Sequence, residues 1–197
     1  MRLRRPLLGV VSITVLGCSQ APTPIVRQPP ASAPVPVPAK PTPAQQPPPM
    51  LSATATLRDV PGARVGTVTF TDTYAGVLVV GNINGLGLGA HAIHIHEFGK
   101  CQAPFTTAGA HFNPTGKHHG FFNPDGPHLG DLPNIDTPAA DKLRFEFLLP
   151  GATIRGANAI LDSDGAAVVI HSSRDNYRTD PAGDSGSRIA CGVITLK

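Results

Sequence analysis

The chain has 197 residues, 41% of them hydrophobic and 15% charged, with 22 prolines, 21 glycines, three cysteines and a formal charge of +3. That length suits a leader and one domain with its own core rather than a multidomain assembly. The positive balance does not point to nucleic acid: Arg2, Arg4, Arg5, Arg27 and Lys40 precede residue 51, whereas residues 51–197 hold eleven Lys and Arg against all thirteen Asp and Glu, a formal −2. No basic stripe interleaved with aromatics is present to bind a nucleic-acid backbone.

Residues 1–18, MRLRRPLLGVVSITVLGC, read as an export leader, with three arginines ahead of an apolar run from Leu7 to Leu16. The run is too short to span a bilayer. It closes on Val15-Leu16-Gly17-Cys18, which resembles a bacterial lipobox, where the cysteine is lipidated and the preceding residues are removed. The other reading is an ordinary signal peptide with an incidental cysteine. Both place the protein in the periplasm or cell envelope, and the first anchors it to a membrane through Cys18.

Residues 19–50 contain twelve of the 22 prolines, enough to deny this stretch a backbone ladder and make it a semi-rigid tether. At about 3.1 Å per residue it reaches up to roughly 100 Å. The folded domain is then expected over residues 51–197.

Within that domain, SATATLRD, ARVGTVTFTDT, GVLVVGNING, HAIHIHEF, KLRFEFLLP, AAVVIHS and ACGVITLK read as strands. They are rich in Val, Ile and Thr, alternate in polarity and are separated by turn signals such as Pro61-Gly62 and Ala75-Gly76. No stretch keeps a helical period, so the expected fold is an antiparallel sandwich or barrel. Residues 98–140 read as one long proline-bearing loop; a structureless loop of that length in a compact domain is either functional or wrongly assigned, and its histidines favour function.

The histidines sharpen that reading. In HAIHIHEF, His94 and His96 share one face of a strand while Ile93 and Ile95 take the other. Such a pair either holds a metal or makes the strand's outer face polar. His111, His118, His119, His128 and Asp131 follow in the long loop, and His171 follows AAVVI. Nitrogen and carboxylate donors without thiolates suit zinc or copper, and several converging imidazoles suit copper(II).

Four motifs in order, HAIHIHEFG, AGAHFNP, HLGDLPN and SRIACGVI, resemble the signatures of the Cu,Zn superoxide dismutases, and the similarity spans nearly all of residues 51–197. The stretch after HEFGK looks like the bacterial branch. The resemblance implies a Greek-key antiparallel β-barrel or sandwich of about eight strands with long metal-binding and electrostatic loops. It implies conversion of superoxide to dioxygen and hydrogen peroxide, with copper and zinc as cofactors. It also implies roles for particular residues: copper at His94, His96, His111 and His171; zinc at His111, His119, His128 and Asp131; and His111 bridging the two.

Family spacing selects His119 over His118. His91 matches a position that supports the copper site without binding metal, and Asp175 one where a carboxylate links a copper-bound to a zinc-bound histidine. Cys101 and Cys191 are implied to form a disulfide that positions Arg188, the cation that receives superoxide. The assembly is left open as monomer or homodimer, and Phe121 and Phe122, unusual in a metal loop, are expected to be buried against a partner or the barrel. Arg174 and Arg178 are further cations that could attract anions.

Two other activities are weighed. Gly183-Asp184-Ser185-Gly186-Ser187 resembles the nucleophile loop of chymotrypsin-like proteases, but no matching histidine motif accompanies it and 147 residues are short for a double barrel. A non-catalytic metal carrier on the dismutase scaffold would be expected to lose the bridging histidine or the arginine, and both are present here.

Overall fold

Alternating apolar residues need a face to bury, and in the computed structural model, which describes residues 50–197, nine segments meet that need as strands. They are β1 (Ser52–Asp59), β2 (Arg64–Thr73), β3 (Gly76–Asn84), β4 (Gly89–His91), β5 (Ile93–His96), β6 (Ile135–Thr137), β7 (Lys142–Leu149), β8 (Ala167–His171) and β9 (Arg188–Leu196). The leader, Cys18 and the tether up to residue 49 lie outside the described residues. A 3-10 turn at Thr106–Ala108 is the only helical element among the described residues.

Seven strands form one antiparallel sheet in the order β5-β8-β9-β1-β2-β3-β7, and β4 pairs separately with β6. The sheet curls so that one face of each strand enters a shared core: Ala53, Ala55 and Leu57 from β1, Val68 and Phe70 from β2, Ile93 and Ile95 from β5. Gly81 in β3 stands opposite Phe145 in β7, whose ring occupies the space a Cβ would need. A glycine inside a strand is thereby filled by its neighbour's aromatic ring.

Six of the seven expected strands match within a few residues. HAIHIHEF instead divides at Ala92, because the Ala92 N–H donates to Ser173 O at 2.9 Å and its carbonyl accepts from His171 N–H at 2.9 Å. His91 therefore ends β4 while Ile93 starts β5. The long loop also contains β6, whose three residues are too few to show alternation.

This loop covers the sheet edge left by β5. Ile95 N–H donates to Gly130 O at 2.9 Å, Phe112 N–H to Ile95 O at 2.8 Å, and Glu97 N–H to Ala110 O at 3.0 Å. An open edge is closed by paired backbone. The loop also roofs the outer face of β5, so His94 and His96 are buried although they point away from the core.

Candidate metal centre

Four imidazoles, those of His94, His96, His111 and His171, place one nitrogen each within 4.8 Å of one another, and all four side chains are buried. The nitrogens facing the common space, His94 Nδ1, His96 Nε2, His111 Nε2 and His171 Nε2, have no hydrogen-bond partner. Each ring is held by its other nitrogen: His94 Nε2 lies 2.8 Å from Asp175 Oδ2, His96 Nδ1 3.0 Å from Gly109 O, His111 Nδ1 2.9 Å from Asp131 Oδ1, and His171 Nδ1 3.1 Å from Ser185 Oγ. Buried polar atoms are rarely left unpaired. Four such orphans converging on one space fit a metal ion with imidazole ligands.

A second cluster of His111, His119, His128 and Asp131 shares His111 with the first. Asp131 Oδ1 lies 2.9 Å from His111 Nδ1, 3.1 Å from His119 Nδ1 and 3.4 Å from His128 Nδ1, and the His111 and His128 Nδ1 atoms are 3.5 Å apart. A tetrahedral ion with bonds of about 2.0–2.1 Å has its donor atoms about 3.3 Å apart. The second carboxylate oxygen is committed elsewhere, accepting from Gly120 N–H at 2.9 Å and His128 N–H at 3.0 Å. His111 thus offers one nitrogen to each cluster.

Asp175 joins the two sets. It lies 2.8 Å from His94 Nε2 and 3.0 Å from His119 Nε2, with both partners fully buried. Asn134 holds its backbone, Nδ2 donating to Asp175 O at 2.9 Å and Oδ1 accepting from Asp175 N–H at 2.7 Å. Tyr177, at φ 59°, donates its N–H to Asp175 Oδ1 at 2.6 Å and accepts Asn134 N–H on its hydroxyl at 2.6 Å. Gly183, also left-handed at φ 66°, has no room for a side chain because a Cβ would overlap the Asp175 carboxylate.

Arg188 opens β9 beside this centre. Its two guanidinium NH groups donate to Phe105 O and Gly109 O, both at 2.7 Å, and Gly109 O also receives His96 Nδ1. The Cys101–Cys191 disulfide ties the start of that loop to the same strand. A cation is therefore fixed by the segment that also orients a cluster histidine.

His118 stands apart from both clusters: it is exposed and its Nδ1 pairs with Asp180 Oδ2 at 2.9 Å. His91 also lies outside them, with Nδ1 2.9 Å from His171 O. Phe121 and Phe122 are not buried against the barrel. They remain 41% and 59% exposed, pack on Tyr177 with ring centroids 5.2 and 5.7 Å away, and Phe122 carries the Arg178 guanidinium at 4.9 Å. Arg174 is exposed. Ser185 of the GDSGS string contacts a histidine but is only 2% exposed, so no peptide reaches its hydroxyl. Sequence reading passed over Asn134, Tyr177, Gly109 and the link from Ser185 to His171. Only the position of Asn134 in HLGDLPN hinted at a role.

Burial holds the first cluster neutral. His171 is pushed down to about 3 and His111 to about 4, chiefly by desolvation, with His94 and His96 shifted the same way for the same cause. Burial also opposes charge on His119, but its bonds to Asp131 and Asp175 outweigh it and raise the ring to about 9. Burial likewise favours neutral Asp131 and Asp175, yet bonds from the histidines hold both carboxyls well below their usual range.

Unfolded histidine titrates near 6.5. His111 and His171 therefore contribute stability that is complete above about pH 6.5 and lost as pH falls toward 4 and 3, with a combined slope of up to about 2.7 kcal/mol per pH unit. The contribution of His119 is complete below about pH 6.5 and is lost as pH rises to about 9. The metal-free protein is thus expected to be most stable near pH 6.5. Urea denaturation of chelator-treated protein at pH 5, 6.5 and 8.5 checks this; a flat profile would contradict it.

An antiparallel curled β-sheet whose strands β5 and β8 and covering loop bring four imidazoles and a three-histidine, one-aspartate set around a shared histidine defines a class of protein suited to hold two metal ions side by side. The profile of the copper/zinc superoxide dismutase (SODC) family matches residues 64–194. Superoxide dismutase (Cu-Zn) 2 of Aquifex aeolicus is 46% identical over 148 residues, 73% of this chain and 86% of that protein. The crystal structure of a SOD-like protein from Bacillus subtilis superposes with a TM-score of 0.69 at 38% identity, covering 71% of this chain and 96% of that one. Cu/Zn superoxide dismutase from Brucella abortus gives a TM-score of 0.59 at 28% identity, covering 73% and 99%. The chain belongs to the copper/zinc superoxide dismutase family.

Proposed function

We propose that the protein is a superoxide dismutase, with copper held by His94, His96, His111 and His171 and zinc by His111, His119, His128 and Asp131. The observation that carries this is the placement of His111, with Nδ1 in one donor cluster and Nε2 in the other. Bound copper supplies one-electron chemistry, by which one superoxide is oxidised to dioxygen and another is reduced, with two protons, to hydrogen peroxide. When not given to copper, His111 Nε2 would be the atom at which this chain holds one of the two protons for the reduced substrate, the other coming from solvent. Nδ1 of the same ring, 2.9 Å from Asp131 Oδ1, belongs to the zinc set, so the proton is handled at Nε2 alone.

Arg188 attracts and orients the anion. Its guanidinium is held by two carbonyls and needs no rearrangement when substrate arrives. A unit charge about 5 Å from the anion contributes roughly 3 kcal/mol at an effective dielectric near 20, cut by screening to about 1–2 kcal/mol. Arg188→Ala is therefore expected to lower turnover about tenfold with copper still bound, and to make the decline of rate with added salt shallower. Unchanged rate and salt slope would remove Arg188 from the mechanism.

The leader and tether extend the proposal to location. Cys18 carries lipid at the end of residues 1–18, and the proline-rich tether to residue 50 holds the domain off a membrane in the periplasm or cell envelope. The decisive experiment is superoxide consumption by the metal-loaded protein alongside elemental analysis. One copper, one zinc and rapid turnover support the proposal. A single metal per chain under excess of both ions would defeat the bridged site, and full loading without turnover would leave a metal carrier.

A further inference from the structure

Three of the four imidazoles in the first cluster are held by strong, fixed acceptors: carboxylates for His94 and His111, a carbonyl for His96. His171 differs, because its nearest partner is the hydroxyl of Ser185 at 3.1 Å, with the Gly186 carbonyl farther away at 3.4 Å. Ser185 is 2% exposed, and its loop is pinned to the segment after β8 by Ser173 N–H to Ser185 O at 2.9 Å and Ser172 N–H to Ser187 O at 2.8 Å. The hydroxyl is therefore held in place by backbone on both sides.

A carbonyl can only accept, so Gly186 O calls for the proton of His171 on Nδ1. With the proton there, the nearer acceptor is Ser185 Oγ, and Nε2 keeps its lone pair. That Nε2 is buried without a partner and faces the other three imidazoles. The opposite tautomer would aim an N–H into the cluster and leave the Gly186 carbonyl without its donor.

We propose that Ser185 is a positioning residue for His171: its hydroxyl accepts the Nδ1–H, favours the tautomer whose Nε2 lone pair faces the cluster, and so sets the donor strength of that nitrogen. The consequence for copper rests on the function proposed above; the tautomer does not. A hydrogen bond to the far side of a ligating imidazole raises its basicity and favours the more highly charged metal ion. Because the partner is a neutral hydroxyl, it can be removed without changing the charge of the site.

Ser185→Ala and Ser185→Thr in the full chain test this. In nitrogen-15 NMR of the metal-free protein at pH 8, His171 is expected to be mainly the Nδ1–H tautomer, the share of Nε2–H rising about five- to tenfold in Ser185→Ala and returning toward the native value in Ser185→Thr. In the copper-loaded protein, Ser185→Ala is expected to weaken copper(II) about tenfold relative to copper(I), which raises the reduction potential by about 59 mV. Ring shifts and potential unchanged in Ser185→Ala would overturn the role, as would Ser185→Thr behaving like Ser185→Ala with its fold intact by circular dichroism. A native protein that fails to consume superoxide would count against the proposed activity alone, since the tautomer is read without metal.

Discussion

His111→Ala is expected to abolish paired metal binding and lower superoxide turnover by more than about 100-fold. Losing an outer partner of a ligand already costs 10–100-fold in affinity or activity. Here each donor set loses a ligand outright, because Nδ1 and Nε2 of the same ring serve different clusters. The substitution also strips Asp131 of its closest histidine, at 2.9 Å, and leaves that buried carboxylate with fewer donors. Zinc and copper affinity measured separately check the result, with His118→Ala as the control: its imidazole is exposed and pairs only with Asp180, so neither affinity should move by more than about twofold. Equal losses in the two variants would mean that the second cluster is not the zinc site.

Removing the disulfide is expected to be nearly as damaging, though by a different route. Cys101 and Cys191 close a loop with a sequence separation of 90 residues. By loop-closure entropy such a cross-link stabilises by about 4–5 kcal/mol, a large share of the stability of a domain this size. The Cys101→Ser, Cys191→Ser variant should lose that amount in denaturant unfolding of the metal-free protein. Turnover should fall as well, because the segment released includes Phe105 and Gly109, whose carbonyls hold Arg188. Loss of stability with full turnover would show that Arg188 keeps its place without the cross-link. A loss below about 1 kcal/mol would show that the unfolded chain is little constrained by it.

The chain itself announces most of this fold. Period-two alternation marks β1, β2, β3, β7 and β9 within a few residues, because one face of each must enter a common core whatever its partner, and a short continuous apolar run marks β8, which is buried on both faces. It could not show β4 and β6, which pair over only three residues each and owe their existence to the covering loop. The break at Ala92 is equally invisible, since it comes from hydrogen bonds to residues 171 and 173 at the far end of another strand.

At the proposed metal centre the amino-acid sequence by itself determined which residue types could bind metal, and the family motifs pointed to the positions proposed as ligands. Only the tertiary structure decided which nitrogen of each ring faces which cluster, that Tyr177 and Asn134 hold Asp175, and that Ser185 rather than a carboxylate meets His171. The reason is distance along the chain: His94 meets Asp175 across 81 residues, His119 meets it across 56, and Asn134 across 41. Spacing within a strand fixes the face a side chain takes. The ring nitrogen it presents is set by partners that arrive only when distant loops close over it.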